Sequence, residues 1–296
     1  MRQLAGAASL RQAGGVGHDD FSDAVLVVLG HGTTLNENSA APVRQHVAEL
    51  RRRNIFREVR EAFWKQEPQI KTVLVETIAK AGASSIFIAP LFISEGYFAG
   101  QVIPRELGFE GVNATVKNGN VVVTYCAPVG THESMTRVIL SRAKGVVKSF
   151  PFPRAPKNAE TTLFIAGHGT EKNENSRKPV ERQVELIRAQ NIFADAHAIF
   201  LEETPRIADC YSLARTKNLV VVPFFISDGL HTQEDIPVLL GETKKNIAQR
   251  LAAGQPVWRN PMEREGKLVW YSAAVGTESG MVEVILERVR EAAVKQ

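Results

Sequence analysis

Four residues in the second half of this 296-residue chain have the types and spacing for metal and proton chemistry: His168, Glu202, Glu203 and His231. Each stands at or near the end of an apolar run. His168 follows LFIAG, the glutamates follow AIFL, and His231 closes PFFISDGLH. Two imidazoles and a carboxylate make a donor set for a divalent first-row metal, and three protein ligands leave coordination positions open for catalysis. The same groups can accept protons. Adjacent strand residues point to opposite faces, so only one of Glu202 and Glu203 faces such a site.

The chain carries its own control, because it is a duplication. HGTTLNENSAAPV begins at His31 and HGTEKNENSRKPV at His168, an offset of 137 that persists to Pro68 and Pro205. PLFISEGYFAGQVIP from Pro90 matches PFFISDGLHTQEDIP from Pro223, an offset of 133. YCAPVGTHESMTRVIL from Tyr125 matches YSAAVGTESGMVEVIL from Tyr271, an offset of 146. The length changes between these blocks are expected to be loops. By the same offsets His31 answers to His168, Lys65 to Glu202 and Phe98 to His231. A three-ligand site can be assembled in the second half and not in the first. The fold tolerates other residues at two of the three positions, which argues against a purely structural need for Glu202 and His231.

The elements that must position these residues read as alternating strands and helices. Strands are predicted at 25–29 and 163–166, 59–64 and 198–201, 85–91 and 219–225, and 121–125 and 267–271, with helices between them. Ser39 and Ser176 are read as helix N-caps with Pro42 and Pro179 in the first turn, and Thr204-Pro205 as a helix start. This alternation implies an α/β fold with a parallel sheet in each half and helices on both faces. Ligands of such sheets bind beyond the carboxyl ends of the strands, where His168, Glu202 and His231 fall. The expected organisation is a flexible tail at 1–22, a first repeat at 23–149, a linker at 150–160 built around FPFPRAP, and a second repeat at 161–296.

G-H-G-T, then N-x-N-S, then P-F-F-x-x-x-G-x-H-x-x-x-D-I-P resembles the sirohydrochlorin cobaltochelatase (CbiX-like) family of class II tetrapyrrole chelatases, from about Asp23 to Glu291. The resemblance implies two chelatase-like, flavodoxin-like domains facing a shared cleft. It implies insertion of a divalent metal into sirohydrochlorin or a related tetrapyrrole, in cobalamin- or siroheme-type biosynthesis. The metal is then a substrate, Co²⁺ first with Fe²⁺ or Ni²⁺ as alternatives, and no organic cofactor is called for. The family's two motif histidines map onto His168 and His231 as metal and catalytic residues. A glutamate that some relatives carry three residues before a proline maps onto Glu202. Phe98 departs from the pattern of long members with a usable pair in the first half. That half is therefore expected to be scaffold and substrate wall, with His31 and Phe98 contacting substrate and Tyr97 available for stacking. Sirohydrochlorin is rich in carboxylates, and Lys172, Arg177 and Lys178, just after His168, could pair with them.

Other classes fit less well. The net charge is +4, with no basic run interleaved with aromatics, so nucleic acid is not an expected partner. No apolar stretch can span a bilayer, so no membrane role is expected. Cys126 and Cys210 are too few and too far apart for a disulfide framework, which suggests reduced, buried thiols and a cytoplasmic location. His46, His132 and His197 have no histidine twin in the other repeat and read as structural or surface residues. Histidine phosphatases need an arginine just before the nucleophile, where this chain has Gly30 and Gly167. A non-catalytic tetrapyrrole or metal carrier is the remaining alternative, since binding and insertion use the same ligands. Duplication suggests a monomer whose halves do what two short chains would do in a dimer.

Overall fold

Near-continuous apolar runs become the central strands. In β1 (Phe21–Gly30) every residue from Ala24 onward is buried, and in β6 (Thr161–Gly167) all seven are, as expected for strands covered on both faces. The computed structural model describes residues 21–33, 39–80, 82–170 and 174–295. The first half continues through α1 (Ala41–Arg53), β2 (Phe56–Phe63), α2 (Ile70–Lys80), β3 (Ser85–Pro90), α3 (Ile103–Glu106), β4 (Ala114–Asn118), β5 (Val121–Tyr125) and α4 (Met135–Ser149). After β6 the second half runs through α5 (Lys178–Ala189), β7 (Asp195–Phe200), α6 (Cys210–Leu213), β8 (Asn218–Pro223), α7 (Ile236–Leu239), α8 (Lys244–Ala252), β9 (Met262–Arg264), β10 (Lys267–Tyr271) and α9 (Met281–Ala293).

The two sheets have the same order, β2-β1-β3-β5-β4 and β7-β6-β8-β10-β9. Four strands of each are parallel, and the edge strands β4 and β9 pair antiparallel through hairpins. These edge strands were not expected from the sequence. ATVKN alternates instead of forming an apolar run, and β9 has only three residues. Other boundaries also move. Phe21 stacks on Phe56 at 5.1 Å, so β1 begins inside the expected 1–22 tail, of which residues 1–20 lie outside the described residues. The N-cap positions of α1 and α5 are Ala40 and Arg177, one residue beyond Ser39 and Ser176, with no side-chain capping bond. No helix starts at Pro205; a 3₁₀ turn, Ile207–Asp209, follows Arg206, whose N–H donates to Asp209 Oδ2 at 2.7 Å. The final offset change of thirteen residues is not a loop: it holds α8, for which the segment between α3 and β4 has no counterpart.

The halves share one core. α4 leaves the first half to pack on β8 and β10, and α9 packs back on β3. With α1 and α5 these exchanged helices fill a layer between the sheets, so Leu26, Phe87, Val138, Val220 and Ile285 belong to one apolar cluster. The polar contacts across this layer follow the repeat. Arg142 Nε donates to Ala274 O at 3.1 Å and its Nη2 to Thr277 Oγ1 at 2.5 Å. Its twin Arg288 makes the same bonds to Pro128 O and Thr131 Oγ1, at 3.2 and 2.5 Å. His46 Nε2 donates to Gly276 O at 2.7 Å, and its twin Gln183 donates to His132 O at 3.0 Å. The linker is tied down where Trp270 Nε1 donates to Phe150 O at 2.8 Å.

Among the described residues no helix is long and apolar enough to cross a membrane. Cys126 and Cys210 are free and buried, and burial pushes both thiols up to about 12.

The structural histidines give stability a pH dependence. Desolvation lowers the pKa of His46, His132 and His197 below the usual imidazole value. Below about pH 6.5 the unfolded chain therefore takes up protons that the folded chain refuses. Stability should be unaffected by these groups above that value and fall as pH drops from 6.5 toward 5.5. Replacing His46 with glutamine, the residue its twin already uses, should flatten part of the slope. Thermal melts at pH 7.5, 6.5 and 5.5 test this; identical midpoints for the parent would contradict it.

Candidate active site

In the order β7-β6-β8 the strands after β6 are added first on one side of it and then on the other, so the strand order reverses between β6 and β8, where open parallel sheets form a crevice at their carboxyl ends. His168 leaves β6 on one side of it and His231 follows β8 on the other. Their rings meet edge to face, with centroids 4.9 Å apart and planes at 84°.

Each ring is oriented through Nδ1. His168 Nδ1 lies 2.8 Å from the carbonyl of Gly169, which can only accept, so this nitrogen carries the proton. Gly169 turns its backbone at φ +69°, and a Cβ there would lie 2.6 Å from Glu203 Oε1, which fixes glycine after the histidine. His231 opens a short π-helical turn, His231–Asp235, and its Nδ1 donates to Asp235 Oδ2 at 2.7 Å, one turn along. Both Nε2 atoms are thus left as lone-pair donors when the rings are neutral. A carboxylate behind an imidazole fixes its tautomer and ring orientation as a ligand. Asp235 was part of the D-I-P motif but was not read as a site residue. Its i,i+4 spacing from His231 was the available signal, and Val102 takes its place in the first half.

The structure separates the two glutamates. Glu202 lines the crevice, with Oε1 3.8 Å from His168 Nε2. Glu203 turns the other way, accepting from Thr170 N at 3.1 Å and from Arg177 at 2.9 Å. In the first half Gln66 Oε1 accepts from Thr33 N at 3.3 Å, and Ala40 stands where Arg177 does, so the charge on Glu203 and the charge on Arg177 come together. Glu203→Ala should therefore lower stability by about 1–3 kcal/mol by removing the carboxylate that accepts from the Thr170 amide and one of the two carboxylates that hold Arg177. Glu202→Gln should leave the melting temperature unchanged. Equal melting temperatures for the two variants would overturn this division.

Arg177 does not line the crevice. It also pairs with Glu181 and Thr204 O and lies 4.7 Å over the Phe200 ring, engagements that take the guanidinium away from a ligand. Lys178 pairs with Glu174 at 2.9 Å on an exposed surface, outside the crevice lining. Lys172 lies outside the described residues. His31 repeats the His168 geometry, Nδ1 to Gly32 O at 2.8 Å, but packs edge-on against Phe98 at 5.5 Å, and Lys65 lies over Trp64. The first half thus brings together rings and a cation instead of ligands.

A pocket of about 570 Å³ opens at the crevice, and the described residues that line it belong to the second half. Besides His168, Glu202, His231 and Asp235 it is walled by residues of α7 and α8 that the sequence did not flag, among them Leu239, Lys244 and Leu251. Among the described residues no three His, Cys, Asp or Glu side chains stand close enough to hold a metal ion together. Glu202 Oε1 lies 3.8 Å from His168 Nε2, and Asp235 is held by His231. What is built is a pair of oriented imidazoles with a carboxylate beside them.

The CbiX family model matches twice, at residues 25–146 and 162–292. A probable sirohydrochlorin cobaltochelatase of Halobacterium salinarum is 40% identical over 282 residues, covering 90% of this chain and 91% of that protein. A multi-domain protein of Deinococcus radiodurans with structural similarity to chelatases superposes with a TM-score of 0.70 at 25% identity, covering 90% of this chain. This chain spans 54% of that protein's length. SirB from Bacillus subtilis, solved with Fe³⁺, superposes with a TM-score of 0.66 at 19% identity over 92% of this chain and 96% of that one, a likeness of fold.

Proposed function

The chain belongs to the CbiX family, and from that premise we propose that it inserts a divalent metal ion, Co²⁺ in the first place, into sirohydrochlorin. The observation that carries this reading is the pair of Nε2 lone pairs of His168 and His231, aimed into one crevice and fixed by Gly169 O and Asp235. Metal insertion replaces two N–H protons of the macrocycle by one M²⁺, so a catalyst must supply the metal and remove two protons. His168 and His231 hold the metal on arrival. As it passes to the ring nitrogens, the freed imidazoles and the Glu202 carboxylate are bases within reach of the departing protons. A site with two ligands and a carboxylate standing off suits a metal that must leave, since a closed ligand set would retain it. Imidazole and carboxylate accept Fe²⁺ and Ni²⁺ as well as Co²⁺, so supply can decide which is used. The extensive joint core supports a monomer as the working unit.

The test is the absorbance change of metal-free sirohydrochlorin on mixing with metal and catalytic amounts of protein. A rate well above the uncatalysed one with Co²⁺ is expected. No acceleration with Co²⁺, Fe²⁺ or Ni²⁺ would overturn the reading and leave a carrier.

A further inference from the structure

α8 exists only in the half that carries the imidazole pair, and it forms one wall of their pocket. Ile247, Ala248 and Leu251 turn toward the pocket from α8, together with Leu239 of α7. At the start of this wall stands Lys244. The other ionisable groups of the described lining are His168, Glu202, His231, Glu234 and Asp235, so among the described residues Lys244 is the fixed cation of the pocket. Among the described residues it joins no ion pair, whereas Arg177 and Lys178 are both engaged. Its position also works against the helix. α8 has no acidic residue in its first turn but begins Lys244-Lys245, where the helix dipole disfavours positive charge. The helix is held firmly despite this. Thr243 Oγ1 caps it, and the buried Glu242 accepts from Thr243 N at 2.8 Å and Asn246 Nδ2 at 2.9 Å, with Arg250 at 3.4 Å. A cation kept at a cost, on a well-anchored helix, above an apolar wall, matches a flat apolar ring with carboxylates on its rim.

Resting on the chelatase reading, we propose that α8 is the element that recognises the macrocycle, with Lys244 pairing with a peripheral carboxylate and Leu239, Ile247 and Leu251 holding the ring edge. Lys244 then orients the substrate so that its nitrogens face His168 and His231, while the acidic side of the pocket repels carboxylates placed the wrong way round.

The experiment is equilibrium binding of metal-free sirohydrochlorin, followed by its absorbance, to the parent, Lys244→Glu, Lys244→Arg and Lys245→Glu. Lys244 is exposed, so its replacement leaves the core intact, which melting curves check. Lys244→Glu is expected to raise Kd about tenfold or more. Lys244→Arg and Lys245→Glu should stay within about twofold, since the first keeps the charge and Lys245 does not line the pocket. A Kd within twofold of the parent for Lys244→Glu, or an equal loss for Lys245→Glu, overturns the assignment. Insertion by the parent is measured separately. A parent that binds but does not insert metal overturns the chelatase reading and leaves α8 to be judged on binding alone. A parent that does not bind the macrocycle overturns both.

Discussion

Replacing His231 or His168 with alanine is expected to lower the metal-insertion rate by about 10²- to 10⁴-fold, the range for loss of a positioned proton acceptor. Each imidazole has lone-pair and proton roles that the other cannot fill from its own position. Because the two act as one unit, the double variant should be little slower than either single variant. Both side chains are more than a third exposed, so neither change opens a core cavity, and melting temperatures should hold within a degree or two of the parent. Asp235→Asn should cost less, about 10- to 100-fold, because it removes only the group that orients and polarises His231. Stopped-flow absorbance with Co²⁺ and metal-free sirohydrochlorin measures all four. Parental activity in His231→Ala would move the site away from the β6/β8 crevice, with His31 as the next residue to replace.

Gly276→Ala should instead act on the fold, by more than about 4 kcal/mol, a magnitude reserved for backbone or core disruption. A Cβ on Gly276 would lie 2.1 Å from Ile226 O and 2.3 Å from Ile226 Cα, both rigid backbone atoms. The same residue donates its N–H to Phe225 O and accepts from buried His46, so displacing it also disturbs a bond that joins the halves. Its twin Gly130 is in the same position, with Ile93 O at 2.1 Å. Gly145→Ala in α4 is the contrast. Nothing lies within 4 Å of that Cβ, and a helix interior favours alanine by about 0.5–1 kcal/mol, so this variant should be slightly more stable than the parent. Denaturant unfolding of Gly276→Ala and Gly145→Ala measures the difference. A Gly276→Ala protein as stable as the parent would show that the two strand-end loops can separate without cost.

Much of this was open to reading in one dimension. Burial on both faces selects apolar runs, so the central strands stood out as such. Edge strands β4 and β9 did not, because an edge needs neither length nor two apolar faces. Histidines at the ends of strands have a defined destination once the sheet is parallel, which is why His168 and His231 could be paired from spacing alone. Glu202 and Glu203 could not be told apart by adjacency. Their division depends on the turn after His168, whose Thr170 N–H takes Glu203 as acceptor just as Thr33 takes Gln66 in the first half, and Arg177, 26 residues away in sequence, adds an ion pair to it. Arg177 and Lys178 were expected to contact substrate for being near His168; in the structure Arg177 pairs with Glu181 and Glu203, and Lys178 with Glu174.

The sequence by itself determined the duplication, the α/β architecture of each repeat, and the half in which two imidazoles and a carboxylate could meet. These follow from local rules: a repeat is visible as self-similarity, and periodic burial is written residue by residue. Only the tertiary structure decided that α4 and α9 change places between the halves, that the thirteen extra residues form the wall over the site, and that Asp235 stands behind His231. Such features depend on which surfaces meet, and surface contact is set by packing among segments far apart in the chain. The apolar stripe of α4 reads the same whether it covers its own sheet or the neighbour's.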